Sequence, residues 1–300
     1  MAASLPSPLS RSGLLAALGA FALWGLLPLY WKLLAAVPSL EILAHRIVWS
    51  FLFLLPLVFF TGRWREVRVA VSDRTTLLRV MGSSLLIGGN WFLYIWAVND
   101  GRVLETSLGY YINPLMNVLF GYLFFRERPT RVQWMAIGLA AAGVLWMLAS
   151  YGQLPWVSLT LAISFSCYGY MRKTVRVESV PGLFMETALL VPFVLAWLVH
   201  LHMNGGGSLG AQSHTVDLLL AGAGIATSVP LVWFAYAARH LRLTTLGLLQ
   251  YLAPSIAFAL GVFVFHEPVT PSHLVTFGCI WAALGLYTAE GIRLSRSPRA

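Results

Sequence analysis

Three ionisable residues in one apolar run set the chemical question. The stretch SLEILAHRIVWSFLFLLPLVFF (Ser39 to Phe60) is greasy enough to cross a bilayer, yet its first turns carry Glu41, His45 and Arg46. Ionisable groups at the edge of such a run cost free energy unless something pairs or uses them. Glu41 and His45 are one helical turn apart on one face, within hydrogen-bonding reach. Arg46 points about 140° away from Glu41 and needs another partner or a substrate anion. Two uses fit this set. One is a gate or proton-coupling cluster, in which a carboxylate withdrawn from water alternates between protonated and ionised forms as access switches. The other is an interfacial salt-bridge collar that fixes helix registry. Glu105, near the start of a later apolar run, and Lys32 can join the same ring.

The elements that would hold these groups are membrane helices. Of the 300 residues, 58% are hydrophobic and 10% charged, with mean hydropathy +0.75. A soluble domain runs near a quarter charged, so the composition is that of a polytopic membrane protein. A helix needs roughly 20 apolar residues to cross the hydrocarbon core, and about ten such runs follow one another. They centre near Phe21, Phe51, Gly88, Asn113, Leu139, Ile163, Val191, Trp233, Ile256 and Ile280. In lipid only helices or closed barrels satisfy the backbone, and continuous runs of this length exclude a barrel. When the connectors are numbered alternately, all of the 20 Lys and Arg residues except Lys32, Arg46 and Arg102 fall on one side. That asymmetry predicts ten spans with both termini cytoplasmic. It also accounts for the net charge of +9 without nucleic acid as a partner.

The halves repeat at an offset of 140. LGYYINPLMNVLFGYLFFRERPT (from Leu108) aligns without a gap on LLQYLAPSIAFALGVFVFHEPVT (from Leu248), pairing Tyr111 with Tyr251, Pro114 with Pro254, Gly121 with Gly261 and Glu127 with Glu267. Trp24-Gly25 meets Tyr168-Gly169 more loosely, and Glu41 meets Glu186, a second carboxylate at the other mouth. The expected units are therefore 1–150 and 151–300. Five spans each would make the second copy enter the membrane upside down, an architecture that binds solute near the midplane between halves.

Several residues become candidates on that frame. Pro114 and Pro254 are mid-span prolines that free carbonyls; they make a kink, or a kink that opens on a cavity. Tyr110, Asn113 and Asn117 lie on one helical face, opposite Gln250, Ala253 and Ala257 in the repeat. The amides either line a cavity or bridge helices. Trp24, Trp91, Tyr94 and Tyr168 lie deep enough to wall an aromatic pocket. Glu127 and Glu267 read as caps of the helices that follow them. Gly138–Ala142 and Gly278–Ala282 form small-residue faces for contact between halves, or between protomers in a homodimer. Cys167 and Cys279 sit in apolar runs and suggest neither a disulfide framework nor a metal cluster. No phosphate-binding loop, zinc motif or nucleophile elbow occurs in the sequence, so neither an enzyme nor a cofactor is expected.

The stretches WGLLPLYWK, EILAHRIVWS, NWFLYIWAVN, ETSLGYYINPL and LGLLQYLAPS…FHEP resemble the RarD-type branch of the EamA proteins, in the drug/metabolite transporter superfamily. The resemblance runs essentially the whole chain. It implies a ten-helix bacterial inner-membrane permease of two EamA modules, with a small organic solute as partner. The expectation is a secondary transporter of a metabolite, amino acid or amphipathic drug. The alternative is a membrane-embedded enzyme or a non-transporting membrane partner protein.

Overall fold

A computed structural model describes residues 10–100, 103–151, 155–266 and 269–296. Among these, twelve helices follow in order: α1 (Arg11–Lys32), α2 (Ser39–Phe60), α3 (Trp64–Ser72), α4 (Arg74–Asn99), α5 (Val103–Phe125), α6 (Arg131–Tyr151), α7 (Trp156–Thr174), α8 (Ser179–Met203), α9 (His214–His240), α10 (Leu243–Gln250), α11 (Leu252–Phe263) and α12 (Pro271–Arg296). Four of their starts are set by polar side chains that take up orphan backbone donors. Ser10 accepts from Gly13 N at α1, and Ser213 from Val216 N at α9. Asp73 accepts from the amides of Thr75 and Thr76 at α4. Thr130 and Gln133 form a reciprocal capping box at α6.

Eight segments of the described chain are long and apolar enough to cross a membrane: α1, α2, α4, α6, α8, α9, α10 with α11, and α12. Of the two other long helices, α7 falls short because it carries Ser158, Thr160, Ser164, Ser166 and Arg172, and α5 holds Asn113 and Asn117 in its apolar run. These polar helices pack on each other. α5 also packs on α10, α1 on α9 and α11, α2 on α8 and α9, α4 on α7 and α8, and α6 on α12. The connectors fall at two ends of the bundle. Arg63, Arg65, Arg68, Arg126, Arg128 and Arg176 mark the arginine-rich end, and the starts of α2, α5 and α9 mark the opposite end.

Four differences from the sequence expectation have physical causes. The stretch Arg63 to Arg79 reads as a polar connector, but its first part is the amphipathic α3, which buries Val67 and Ala70 and leaves Arg65 and Arg68 exposed. The ninth run divides at Tyr251, three residues before Pro254, whereas α5 continues unbroken through Pro114. Each proline leaves the carbonyl four residues earlier, of Tyr110 or Gln250, without its helical donor. The close approach of α6 and α12 uses Gly143, where an added Cβ would lie 2.8 Å from Cys279 Cβ; Gly138 and Gly278 instead face open space. Glu127 caps a helix, but not its own neighbour. It accepts from Leu243 N (2.7 Å), Thr244 N (2.9 Å) and Thr244 Oγ1 (2.7 Å) at the start of α10. Glu267 lies outside the described residues.

Arg126 and His266 are the non-glycine residues with positive φ among those described, at 52° and 54°. They follow α5 and α11 at positions 140 apart, so the two turns share a left-handed conformation that side chains seldom adopt.

Candidate functional site

The charged mouth of α2 separates into two structures. Glu41, fully buried, accepts from Ser208 N at 2.6 Å and Ser208 Oγ at 2.8 Å. His45 Nε2 stands 3.8 Å from Glu41 Oε1, one turn along the helix. Glu41 therefore anchors the glycine-rich connector between α8 and α9, and both its oxygens are engaged. Arg46 turns away into the bundle. Its Nε donates to Thr227 Oγ1 on α9 at 2.8 Å. Its guanidinium lies over the ring of Trp31 (α1) at 4.8 Å and that of Trp91 (α4) at 5.4 Å. Tyr94 and Tyr110 are its next electrostatic neighbours, with their rings 6.0 Å apart.

This cage gathers five helices. Arg46 and Tyr110 each lie seven residues inside their helix starts, about 10 Å below the opposite end at 1.5 Å per residue. Tyr110 keeps 50% of its surface accessible, with Arg46 and Tyr94 as its neighbours. Glu105 is on α5 near the same mouth, but its side chain lies outside the described residues.

The amides occupy a deeper layer. Asn117 Nδ2 donates to Gln250 Oε1 at 2.7 Å and to Asn113 Oδ1 at 3.4 Å, and Ser166 Oγ donates to Asn113 Oδ1 at 3.1 Å. All four are buried. They bridge α5, α7 and α10 and spend their hydrogen bonds on one another. The Oδ1 of Asn117 has no partner among the described residues. Close crossing makes the bridge feasible, since an added Cβ at Gly247 would sit 2.5 Å from Pro114 O. Beside this layer, Trp24 packs 5.8 Å from Phe165 and 5.5 Å from Phe234. Phe234 in turn stacks on the fully buried Tyr168. Trp24 and Tyr168 thus belong to an aromatic plug, whereas Trp91, Tyr94 and Tyr110 belong to the cage.

The arginine-rich end holds a group that sequence reasoning missed. Arg172 reads as a basic residue of a cytoplasmic connector, but it lies within α7 and is fully buried. Its Nη1 meets Glu186 Oε1 at 3.3 Å, and its Nη2 donates to the carbonyls of Ser179 (3.2 Å) and Glu178 (3.4 Å). Glu186 also accepts from Ser83 Oγ at 2.5 Å and Tyr168 Oη at 3.2 Å. The i,i+4 spacing of Tyr168 and Arg172, which puts both on one face of α7, was the available signal. Lys173 donates to the carbonyls of Ala238 and Leu241, tying α7 to the end of α9. Glu127 and Glu186 thus tie helices together at this end.

Comparisons with known proteins agree with this architecture. Residues 11–149 match the model of the EamA-like transporter family. The chain is similar to an uncharacterized transporter, YojE, of Bacillus subtilis, with 44% identity over 295 residues covering 97% of this chain and 98% of the relative. It is also similar to protein RarD of Escherichia coli (42% identity, 96% of this chain and 97% of the relative) and to an uncharacterized transporter of Vibrio cholerae (41% identity, 97% and 96%). A solved crystal structure shares the fold at a TM-score of 0.72 and 20% identity, covering 96% of this chain and all of that one.

Proposed function

The chain belongs to the EamA-like transporter family and is a multi-pass membrane transporter of the bacterial inner membrane, and from that premise we propose a secondary transporter that moves a small organic solute by alternating access. The observation that carries this is the cage around Arg46. A guanidinium about 10 Å inside a membrane helix, walled by indoles and phenols and beside the half-accessible Tyr110, is a place for solute to bind.

Two inverted five-helix halves, 1–150 and 151–300 with both termini cytoplasmic, would supply the alternation. The packing pairs support this reading. Exchanging α1 with α7, α2 with α8, α4 with α9, α5 with α10 and α11, and α6 with α12 maps each of the nine pairs described above onto another or onto itself; the lesser α7·α9 contact has no comparable α1·α4 counterpart among the described residues. For example, the α1·α9 contact becomes α7·α4, and α5·α7 becomes α11·α1. The matched left-handed residues Arg126 and His266 support it too. In this reading the cage is open toward the outside, and the cytoplasmic end is closed by bonds that cross between halves: Ser83 to Glu186 and Thr244 to Glu127. Transport breaks those bonds as the outer mouth closes. Glu41 and His45, held against the connector at that mouth, would sense its closure and supply the proton site if flux is proton-coupled.

The test is flux. Purified protein in proteoliposomes, given a panel of radiolabelled amino acids, organic acids and amphipathic drugs, should accumulate a solute that is recovered unaltered. Vesicles with Gly247→Leu, which jams α10 against Pro114, should not. Recovery of a chemically altered solute would replace transporter with enzyme.

A further inference from the structure

Arg46 has one hydrogen-bond acceptor among the described residues, Thr227 Oγ1, and no carboxylate pairs with it there. Two acidic groups at that mouth are taken. Both oxygens of Glu41 are held by Ser208, and Asp217 accepts from Gly210 N at 2.7 Å. Contrast Arg172, equally a membrane arginine, which is met by a carboxylate and two carbonyls. An arginine inside the membrane is retained against a desolvation cost only where it is paired or faces a pathway. The way Arg46 is held indicates what completes it. Trp31 and Trp91 lie against the guanidinium from two helices, an attraction of charge to ring faces that uses none of its in-plane N–H donors. With Nε committed to Thr227, the Nη1 and Nη2 donors remain for a ligand. A guanidinium edge framed by aromatic rings matches a planar, singly charged acceptor bound through two parallel bonds. The half-accessible ring of Tyr110 and that of Tyr94 extend the wall beside it as an apolar shelf.

We infer that the solute carries a carboxylate, clamped by Arg46, with its hydrophobic, ring-bearing portion lying on Trp31, Trp91, Tyr94 and Tyr110. This rests on the transporter reading and narrows its substrate class from organic solutes in general to amphipathic organic anions. A cationic drug is excluded from this cage by the like charge of Arg46, and a neutral one leaves the guanidinium unpaired.

The test uses three probes of nearly one shape and different charge: 3-phenylpropionate, 3-phenylpropionamide and 3-phenylpropylammonium. Purified full-length protein in phosphatidylcholine nanodiscs is dialysed to equilibrium with radiolabelled 3-phenylpropionate, alone and against each unlabelled probe. The carboxylate should bind saturably and the other two compete on the order of 10–100-fold more weakly, the span of a charge-assisted bond pair. Arg46→Gln should lose a similar factor, and Arg46→Lys should retain part of it. The wild-type comparison of the three probes stands even where a variant fails to fold. Equal competition by the amide or the ammonium, or unchanged binding in a folded Arg46→Gln, would overturn the inference. So would displacement of the probe by phosphatidylglycerol in the discs, since the anion held would then be a lipid headgroup. Flux separates the two levels. Transport of neutral or cationic solutes without carboxylate binding overturns this inference alone, whereas carboxylate binding with no solute crossing overturns the transporter reading.

Discussion

Replacing Glu186 by Gln should destabilise the fold more than any other isosteric change in the chain. The substitution preserves shape and removes one charge. Arg172 would then stand fully buried with two carbonyls for company, and its Nε has no partner among the described residues even with Glu186 in place. Removing one member of a buried pair costs about 3–5 kcal/mol, because the other charge is left uncompensated. One of the donors Ser83 and Tyr168 also comes to face an amide N–H instead of an oxygen. At about 2 °C per kcal/mol for a chain of this length, the thermal midpoint should fall roughly 6–10 °C. The assay is thermal unfolding in mild detergent followed by tryptophan fluorescence, on Glu186→Gln, Arg172→Met and the double variant. The double should be more stable than the sum of the singles predicts by at least about 2 kcal/mol, since no orphan charge remains. A single variant within about 1 kcal/mol of wild type, or strict additivity, would refute the buried pair as the staple of that end.

Other outcomes follow from the same geometry. Asn117→Leu leaves Gln250 buried with its acceptor unmade and should cost about 1–3 kcal/mol; adding Gln250→Leu should restore part of that, as the same unfolding assay would read. Glu41→Gln keeps one acceptor for Ser208 and loses the other, so limited proteolysis should cut the connector 204–213 faster than in wild type. Asp73 caps α4 outside the membrane, and the hydroxyl and amide of Thr76 hold its carboxyl below the usual carboxylate range. Its contribution is therefore complete above the ordinary Asp value of about 3.9 and is lost as pH falls through the lower folded value. Below about pH 4 the midpoint of wild type should drop more steeply than that of Asp73→Asn.

Helix existence was readable because it is a local property. Apolar length gives spans, and the φ values of Arg126 and His266, 140 positions apart, are consistent with the offset of the gapless match from Leu108 to Leu248. Partners were not readable, because they are set by which helices cross. Glu127 caps a helix 116 positions away, and Asn117 bonds a residue 133 away. Arg172 resembles any basic residue at a helix end until Glu186 is brought beside it. For Arg46 the helical angle shows that it must leave Glu41, but only the crossing of α1, α4 and α9 supplies Trp31, Trp91 and Thr227. The break at Tyr251 beside an intact α5 is likewise a tertiary effect, since both helices carry the same proline.

The most direct measurement is access from each side of the membrane. In a background lacking Cys167 and Cys279, Tyr110→Cys in the cage and Leu246→Cys in the closed end would each be exposed to a membrane-impermeant thiol reagent in vesicles of both orientations. Alternating access predicts that Tyr110→Cys is labelled rapidly from the outside, and that Leu246→Cys, fully buried here, is labelled slowly and from the cytoplasmic side alone. Tyr110→Cys reacting rapidly from both sides, or Leu246→Cys never reacting, would contradict it.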